Sequence, residues 1–182
     1  GAGAVAATLE GHTQAVTALA VLSDGTLASG SWDKSVRLWN VGAQTCVATL
    51  AGHTRGVDAL SVLAGGRLAS GSGDQSVRLW DVATRACVGV LKGHTGSVWA
   101  LAALPDGRLA SGSRDGTIRV WDTRLTVAGA AAGAGSGVLR VKSVVVLEGH
   151  AHDVMALQSL PGGRLASGSD DMTVRLWRLP PL

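Results

Sequence analysis

Short apolar stretches alternate along the chain with clusters of Gly, Ser and Asp, and no segment sustains a helical period. The apolar stretches are rich in Val, Leu and Ala, and turn residues end each of them within a few positions. That pattern predicts short β-strands. The segments Val5 to Leu9, Cys46 to Leu50, Cys87 to Leu91 and Val144 to Leu147 each run into a Gly-His pair. After each His comes a Val-x-Ala-Leu type run, then a tight Gly turn: Ser23-Asp24-Gly25, Ala64-Gly65-Gly66, Pro105-Asp106-Gly107 or Pro161-Gly162-Gly163. These are hairpin turns, where Gly supplies the positive φ that strand twist demands. A Leu-Ala-Ser-Gly-Ser strand follows, then a turn at an Asp, then a strand ending in Trp. The prediction is all-β, with four short antiparallel strands per unit.

The units repeat. Gly-His recurs at His12, His53, His94 and His150, at separations of 41, 41 and 56 residues. Downstream of each stands nearly one phrase: ASGSWDKSVRLWN, ASGSGDQSVRLWD, ASGSRDGTIRVWD and ASGSDDMTVRLWR. In every copy the Asp lies 21 residues after the His and the Trp 6 after the Asp. The one long separation comes from 15 extra residues between Trp121 and His150. Units about 1–40, 41–81, 82–122 and 123–178 are expected, with the Gly/Ala-rich insertion at about 125–140. Small residues on the second strand (Ala28, Ser29, Gly30, Ser31) suit sheets packed face to face around a narrow axis.

At these residues the sequence resembles the WD-repeat β-propeller family. The resemblance implies a propeller of four-stranded blades, four per chain, with the N-terminal strand completing the last blade. It also implies a structural tetrad of His, Ser, Asp and Trp in each unit. These are His12, Ser29, Asp33 and Trp39; His53, Ser70, Asp74 and Trp80; His94, Ser111, Asp115 and Trp121; and His150, Ser167, Asp171 and Trp177. The Asp that closes the family's Trp-Asp pair is kept at Asp81 and Asp122 and replaced by Asn40 and Arg178. Apart from any family, a buried imidazole needs a partner at each nitrogen, which Asp and Ser can provide, and the indole N–H can extend that network.

Ser, His and Asp together could be read as a hydrolase triad. One constellation repeated four times at one spacing instead points to architecture, since an active site is a singular arrangement. No catalytic residue is expected. The fifth histidine, His152, makes no metal-ligand spacing, and no GxGxxG or Walker lysine is present, so neither metal nor cofactor is expected. Two Cys in 182 residues cannot build a disulfide framework, which suits a reducing compartment, cytoplasmic or nuclear. Cys46 and Cys87 are expected as free, buried or semi-buried thiols. A formal charge of +3 and scattered basic residues do not single out nucleic acid, and the recurring Arg37, Arg78, Arg119 and Arg175 fit strand-edge or ion-pair roles better. No membrane-spanning run or signal peptide is seen, and the chain opens on Gly rather than Met, so trimming of its start is expected.

Surface remains. The resemblance implies that a protein or peptide docks on the top face, at three positions per blade. These are Ala15, Thr17 and Trp32; Gly56, Asp58 and Gly73; Ser97, Trp99 and Arg114; and Asp153, Met155 and Asp170. Four of the six Trp belong to tetrads, and the other two, Trp32 and Trp99, both fall on these positions. Trp, Arg and Met are enriched at interface centres. Trp32, Trp99, Asp58, Arg114, Asp153, Met155, Asp170 and Thr17 are therefore the candidate binding residues, with both indoles expected to be well exposed. The competing expectation is that the two Trp lean over neighbouring loops and fill the mouth of the ring. A flexible loop is expected for the insertion, against a docking segment that orders on binding. Closure is expected as an eight-bladed homodimer, against a four-bladed monomer or a piece of a longer propeller. A non-catalytic protein-interaction scaffold is the functional expectation, and a purely architectural or oligomerisation module, engineered or trimmed, is the alternative.

Overall fold

A computed structural model of the protein describes residues 3–124, 139–141 and 143–181. The first blade is the sheet β1 (Val16–Val21), β2 (Leu27–Ser31), β3 (Val36–Asn40), β4 (Thr45–Leu50). The second is β5 (Val57–Leu63), β6 (Arg67–Ser72), β7 (Ser76–Asp81), β8 (Ala86–Lys92). The third contains β9 (Val98–Ala103), β10 (Arg108–Ser113) and β11 (Ile118–Asp122), and its last strand, β13 (Ser143–Leu147), follows the insertion. Between them in sequence, β12 (Leu139–Val141) lies parallel to β8 and so adds a fifth strand to the outer edge of the second blade. The fourth blade has three strands: β14 (Val154–Leu160), β15 (Arg164–Ser169) and β16 (Val174–Arg178). The described residues contain strands and turns but no helix, hence none long and apolar enough to cross a membrane.

Each blade is an antiparallel meander whose first hairpin turns on a left-handed Gly, such as Gly25 at φ 84° or Gly107 at φ 86°. The innermost strands β1, β5, β9 and β14 pack in sequence around the axis. Neighbouring blades interlock at one recurring point. The side chains of Val57, Val98 and Val154, all fully buried, press on Gly30, Gly71 and Gly112 of the preceding blade. A Cβ added at any of these glycines would lie 2.6–2.7 Å from a valine methyl, closer than atoms tolerate. Around each contact sits one apolar cluster. Between the first two blades it contains Val36, Leu38, Val57, Leu68 and Trp80. Arginines clasp the opposite rim: Arg67 donates to the Thr123 carbonyl at 2.5 Å and Arg108 to the Pro180 carbonyl at 3.0 Å, each in the next blade.

Closure of the last blade by the N-terminal segment is not made within the chain. Residues 3–10 form no strand, and β16 has an unpaired outer edge. The physical reason is that the first and last blades do not pack on one another: Val16 is 50 % exposed and Val174 75 %, where their counterparts Val57 and Val36 are fully buried. Of the insertion expected as a flexible loop at about 125–140, residues 125–138 lie outside the described residues. Leu139–Val141, where the insertion ends, is strand rather than loop, because the free edge of β8 offers it backbone partners.

Gly71→Val tests the interlock. The added methyls must displace Val98, so a loss of about 1–3 kcal/mol is expected, read as a lowered melting temperature without loss of the β signature in circular dichroism.

Candidate interaction surface

The upper rim is organised by the four tetrads. In the second blade the turn between β6 and β7 presents Asp74, whose Oδ2 accepts from His53 Nδ1 at 2.8 Å and from the Thr54 backbone N–H at 3.0 Å. Its Oδ1 accepts from the Ser76 N–H at 3.0 Å and the Ser76 hydroxyl at 2.6 Å. His53 Nε2 lies 2.8 Å from Ser70 Oγ, and Trp80 Nε1 donates to that same oxygen at 2.8 Å. The arrangement that satisfies every atom has Nδ1–H donating to Asp74 and the Ser70 hydroxyl donating to Nε2. His12–Asp33, His94–Asp115 and His150–Asp171 repeat the geometry at 2.7–2.8 Å, with Ser29, Ser111 and Ser167 completing each chain to Trp39, Trp121 and Trp177.

Burial works to raise the Asp74 carboxyl pKa, but the hydrogen bonds from His53, Ser76 and Thr54 outweigh it and hold the group well below the usual carboxylate range. Asp33 and Asp115 are depressed by the same balance. At Asp171 the Thr173 hydrogen bond is the leading cause of the same depression. The tetrad serines are buried with both neighbours in place, so a substrate carbonyl has no access to them. Among the described residues no group of three or more His, Cys, Asp or Glu is placed to hold a metal ion.

The same turns fix the rim positions singled out from sequence. The residue before each tetrad Asp donates its backbone N–H to the carbonyl three residues after the His: Trp32 to Ala15, Gly73 to Gly56, Arg114 to Ser97 and Asp170 to Asp153, at 2.9–3.0 Å. Contacts then run from blade to blade. Trp32 lies over Gly56, where a Cβ would meet the indole at 2.8 Å, and its Nε1 donates to Asp58 at 3.1 Å. Burial pushes the Asp58 carboxyl up, opposed by the Trp32 bond. Thr17 donates its hydroxyl to the Val57 carbonyl of the next blade. Arg114 and Asp153 form a loose, partly exposed ion pair at 3.9 Å.

The two tryptophans differ in exposure. Trp32 leans on its neighbour and is still 54 % exposed. Trp99, expected to be well exposed, is half-buried, and its Nε1 is shielded from solvent without an acceptor. It is the second residue of the innermost strand β9. Met155, at the same place in the fourth blade, is 45 % exposed.

Two features were not legible beforehand, and a third could have been suspected. Among the described residues the recurring arginines make no ion pair; Arg37 and Arg78 instead stack about 6 Å from the ring centroids of Trp39 and Trp80. Their guanidinium Nη1 atoms cover Gly11 and Gly52, the glycines of Gly-His, leaving 2.5–2.7 Å for any Cβ. Alternation with apolar neighbours had suggested strand-edge or ion-pair roles. Cys46, expected to be buried or semi-buried, is exposed, and Cys87 is half-buried; their sulfurs lie 3.5–3.6 Å from Arg78 and Arg37 donors, Cys87 with Arg78 and Cys46 with Arg37. The Arg67 and Arg108 clasps could have been suspected from the Gly-Arg-Leu-Ala-Ser recurrence, which Thr26 breaks in the first blade.

The profile described as WD domain, G-beta repeat matches residues 3–40, 44–81, 85–122 and 141–178. The chain belongs to the WD40 repeat family. Members of this family are in general protein-interaction scaffolds rather than catalysts. No curated protein matches this WD40 chain significantly. Among solved structures, the computationally designed Ika4 protein is similar, with a TM-score of 0.79 and 30% identity over 98% of this chain and 100% of that one.

Asp74→Ala tests the tetrad. It leaves the donors of His53, Thr54 and Ser76 without their acceptor, at an expected cost of about 1–3 kcal/mol at neutral pH. Because the native carboxyls are depressed, their stabilisation is present above the unfolded-chain pKa of about 3.9. It is lost as pH falls from there through the lower native values. Melting temperatures measured from pH 7 to pH 3 should fall on the acid side, less steeply in Asp74→Ala than in the parent.

Proposed function

We propose that this WD40 chain is a non-catalytic scaffold that binds a protein or peptide on its upper rim, in a reducing compartment, cytoplasmic or nuclear. The observation that carries the reading is Trp99. Its half-buried indole keeps an N–H away from both water and any protein acceptor, a state that costs about 1–3 kcal/mol. A partner carbonyl meeting that N–H after a small turn of the ring would recover this energy. Met155 and Trp32 supply exposed apolar contact at the equivalent or neighbouring rim positions of other blades, and Asp58, Asp153, Asp170, Arg114 and Thr17 supply polar complementarity. The tetrads hold the rim's shape and take no part in binding.

We further read the chain as a homodimer that closes an eight-bladed ring. The support is an unpaired β16 edge and an unpaired segment, Ala4 to Leu9, whose sequence VAATL echoes the CVATL of β4. In the register of β3 with β4, where Val36 faces Leu50, Leu9 of a second copy falls opposite Val174. A purely architectural module is the second reading, and the similarity to a designed protein favours it.

Panning a displayed random-peptide library on the protein separates the two readings. Enriched peptides should lose about 30-fold in affinity with Trp99→Ala, roughly 2 kcal/mol, measured on protein that circular dichroism shows to be folded. Asp153→Lys should change mainly the association rate and its salt dependence. Failure to enrich any peptide, or equal binding by Trp99→Ala, would leave the architectural reading.

A further inference from the structure

The three internal blade junctions are a template for what the two ends of the chain lack. At each junction a valine four residues after the tetrad His enters the space left by a glycine on the second strand of the preceding blade: Val57 on Gly30, Val98 on Gly71, Val154 on Gly112. The fourth valine of the series is Val16 and the fourth glycine is Gly168. Both are unengaged. Val16 is 50 % exposed, and a Cβ on Gly168 would meet only the Ala156 Cβ, at an ordinary 3.7 Å.

The surroundings are complementary too. Leu60 and Val62 of the second blade pack into the cluster holding Val36 and Leu38 of the first. Their counterparts at one end of the chain, Leu19 and Val21, are 65 % and 66 % exposed; at the other end, Val174 and Leu176 are 75 % and 65 % exposed. The rim clasp is also left half-made. Arg67 and Arg108 each reach a carbonyl just past the third-strand Trp of the next blade. Arg164 holds the same position in the last blade, yet it is exposed and bonds only Pro161 of its own turn.

We propose that Val16 of one chain seats on Gly168 of a second copy, with Leu19 and Val21 against Val174 and Leu176, and Arg164 clasping the backbone beside Val41. This rests on the homodimer reading above and gives that dimer its contact residues. The occupant is a second copy because the missing surface at each end is the surface present at the other, and within one chain the two do not meet. Two copies supply eight blades, the upper end of the usual range of about 4–8, and a twofold arrangement makes both seams equivalent. The seams also join the upper rim across copies, setting Asp170 of one chain beside Thr17 of the other, as Trp32 stands to Asp58. The rim is incomplete in a single chain.

Directed cross-linking tests this. In a Cys46→Ser, Cys87→Ser background, Val16→Cys and Gly168→Cys are made singly, mixed and mildly oxidised. The internal pair Gly71→Cys with Val98→Cys is the reference, because its Cβ separation of 3.2 Å is close to the disulfide range of about 3.5–4.5 Å. The expected result is a two-chain band from the mixture, with a yield within about twofold of the reference bond, and little from either variant alone. No two-chain band from the mixture overturns the proposal. So does a double variant that bonds within one chain.

Light scattering on the parent protein separates the levels. A two-chain mass without the cross-link overturns the seam and leaves the homodimer; a one-chain mass overturns both. Val16→Arg in the otherwise unaltered protein covers the case in which the serine background fails to fold. It should convert the two-chain species to one-chain mass, and an unchanged two-chain mass overturns the proposal.

Discussion

The structure depends on a valine methyl occupying the place where a side chain would otherwise be. Gly30, Gly71 and Gly112 stand on strands whose neighbours are already small, and each receives a valine of the next blade at contact distance. Burial of one such side chain is worth roughly 1.5–3 kcal/mol, and it also fixes position, because the socket is one residue wide. Blades so indexed cannot slide along one another without driving a methyl into backbone. Trp32 over Gly56 repeats the device on the rim, a large group admitted by the absence of a small one. Chain geometry around the axis is therefore set by where side chains are missing.

Within a blade the constraint is polar. Each tetrad aspartate accepts four hydrogen bonds drawn from two separate segments, the Gly-His loop and its own turn. The strands it joins are distant in sequence, so the network closes a loop that backbone pairing alone would leave loose. It has a local cost. The residue after the Asp is forced into left-handed backbone, at Lys34, Gln75 and Met172 as well as at Gly116, and only the third blade uses glycine there. Three such positions in a strained conformation are sustained by the bonds the aspartate makes next to them.

Repetition made most of this legible in the sequence. The His, Ser, Asp and Trp of each unit stand at constant spacing, and constancy across four copies distinguishes a structural requirement from coincidence. The Trp32 and Trp99 positions stood out for the opposite reason, as departures from the repeat. The partial burial of Trp99 was not readable, because it depends on how the indole settles among its neighbours, which no spacing encodes. The arginine stacks escaped for a related reason: alternation along a strand gives the side on which Arg37 emerges but not that its head folds back over Gly11. Closure was the hardest to foresee. The segment Ala4 to Leu9 has the residues of an outer strand, yet pairing needs an edge within reach, and reach is a property of curvature.

The short strand β12 ties blades that are otherwise only packed. After the third blade's β11 the chain leaves its own sheet, runs beside β8 of the second, and then returns to the third as β13. The middle two blades are thereby stitched by backbone hydrogen bonds as well as by side chains, and the outer two are not. Pulled from its ends, the molecule would shed the first and fourth blades as separate events and hold the central pair to the last. Its mechanical resistance is concentrated at the centre, away from both ends.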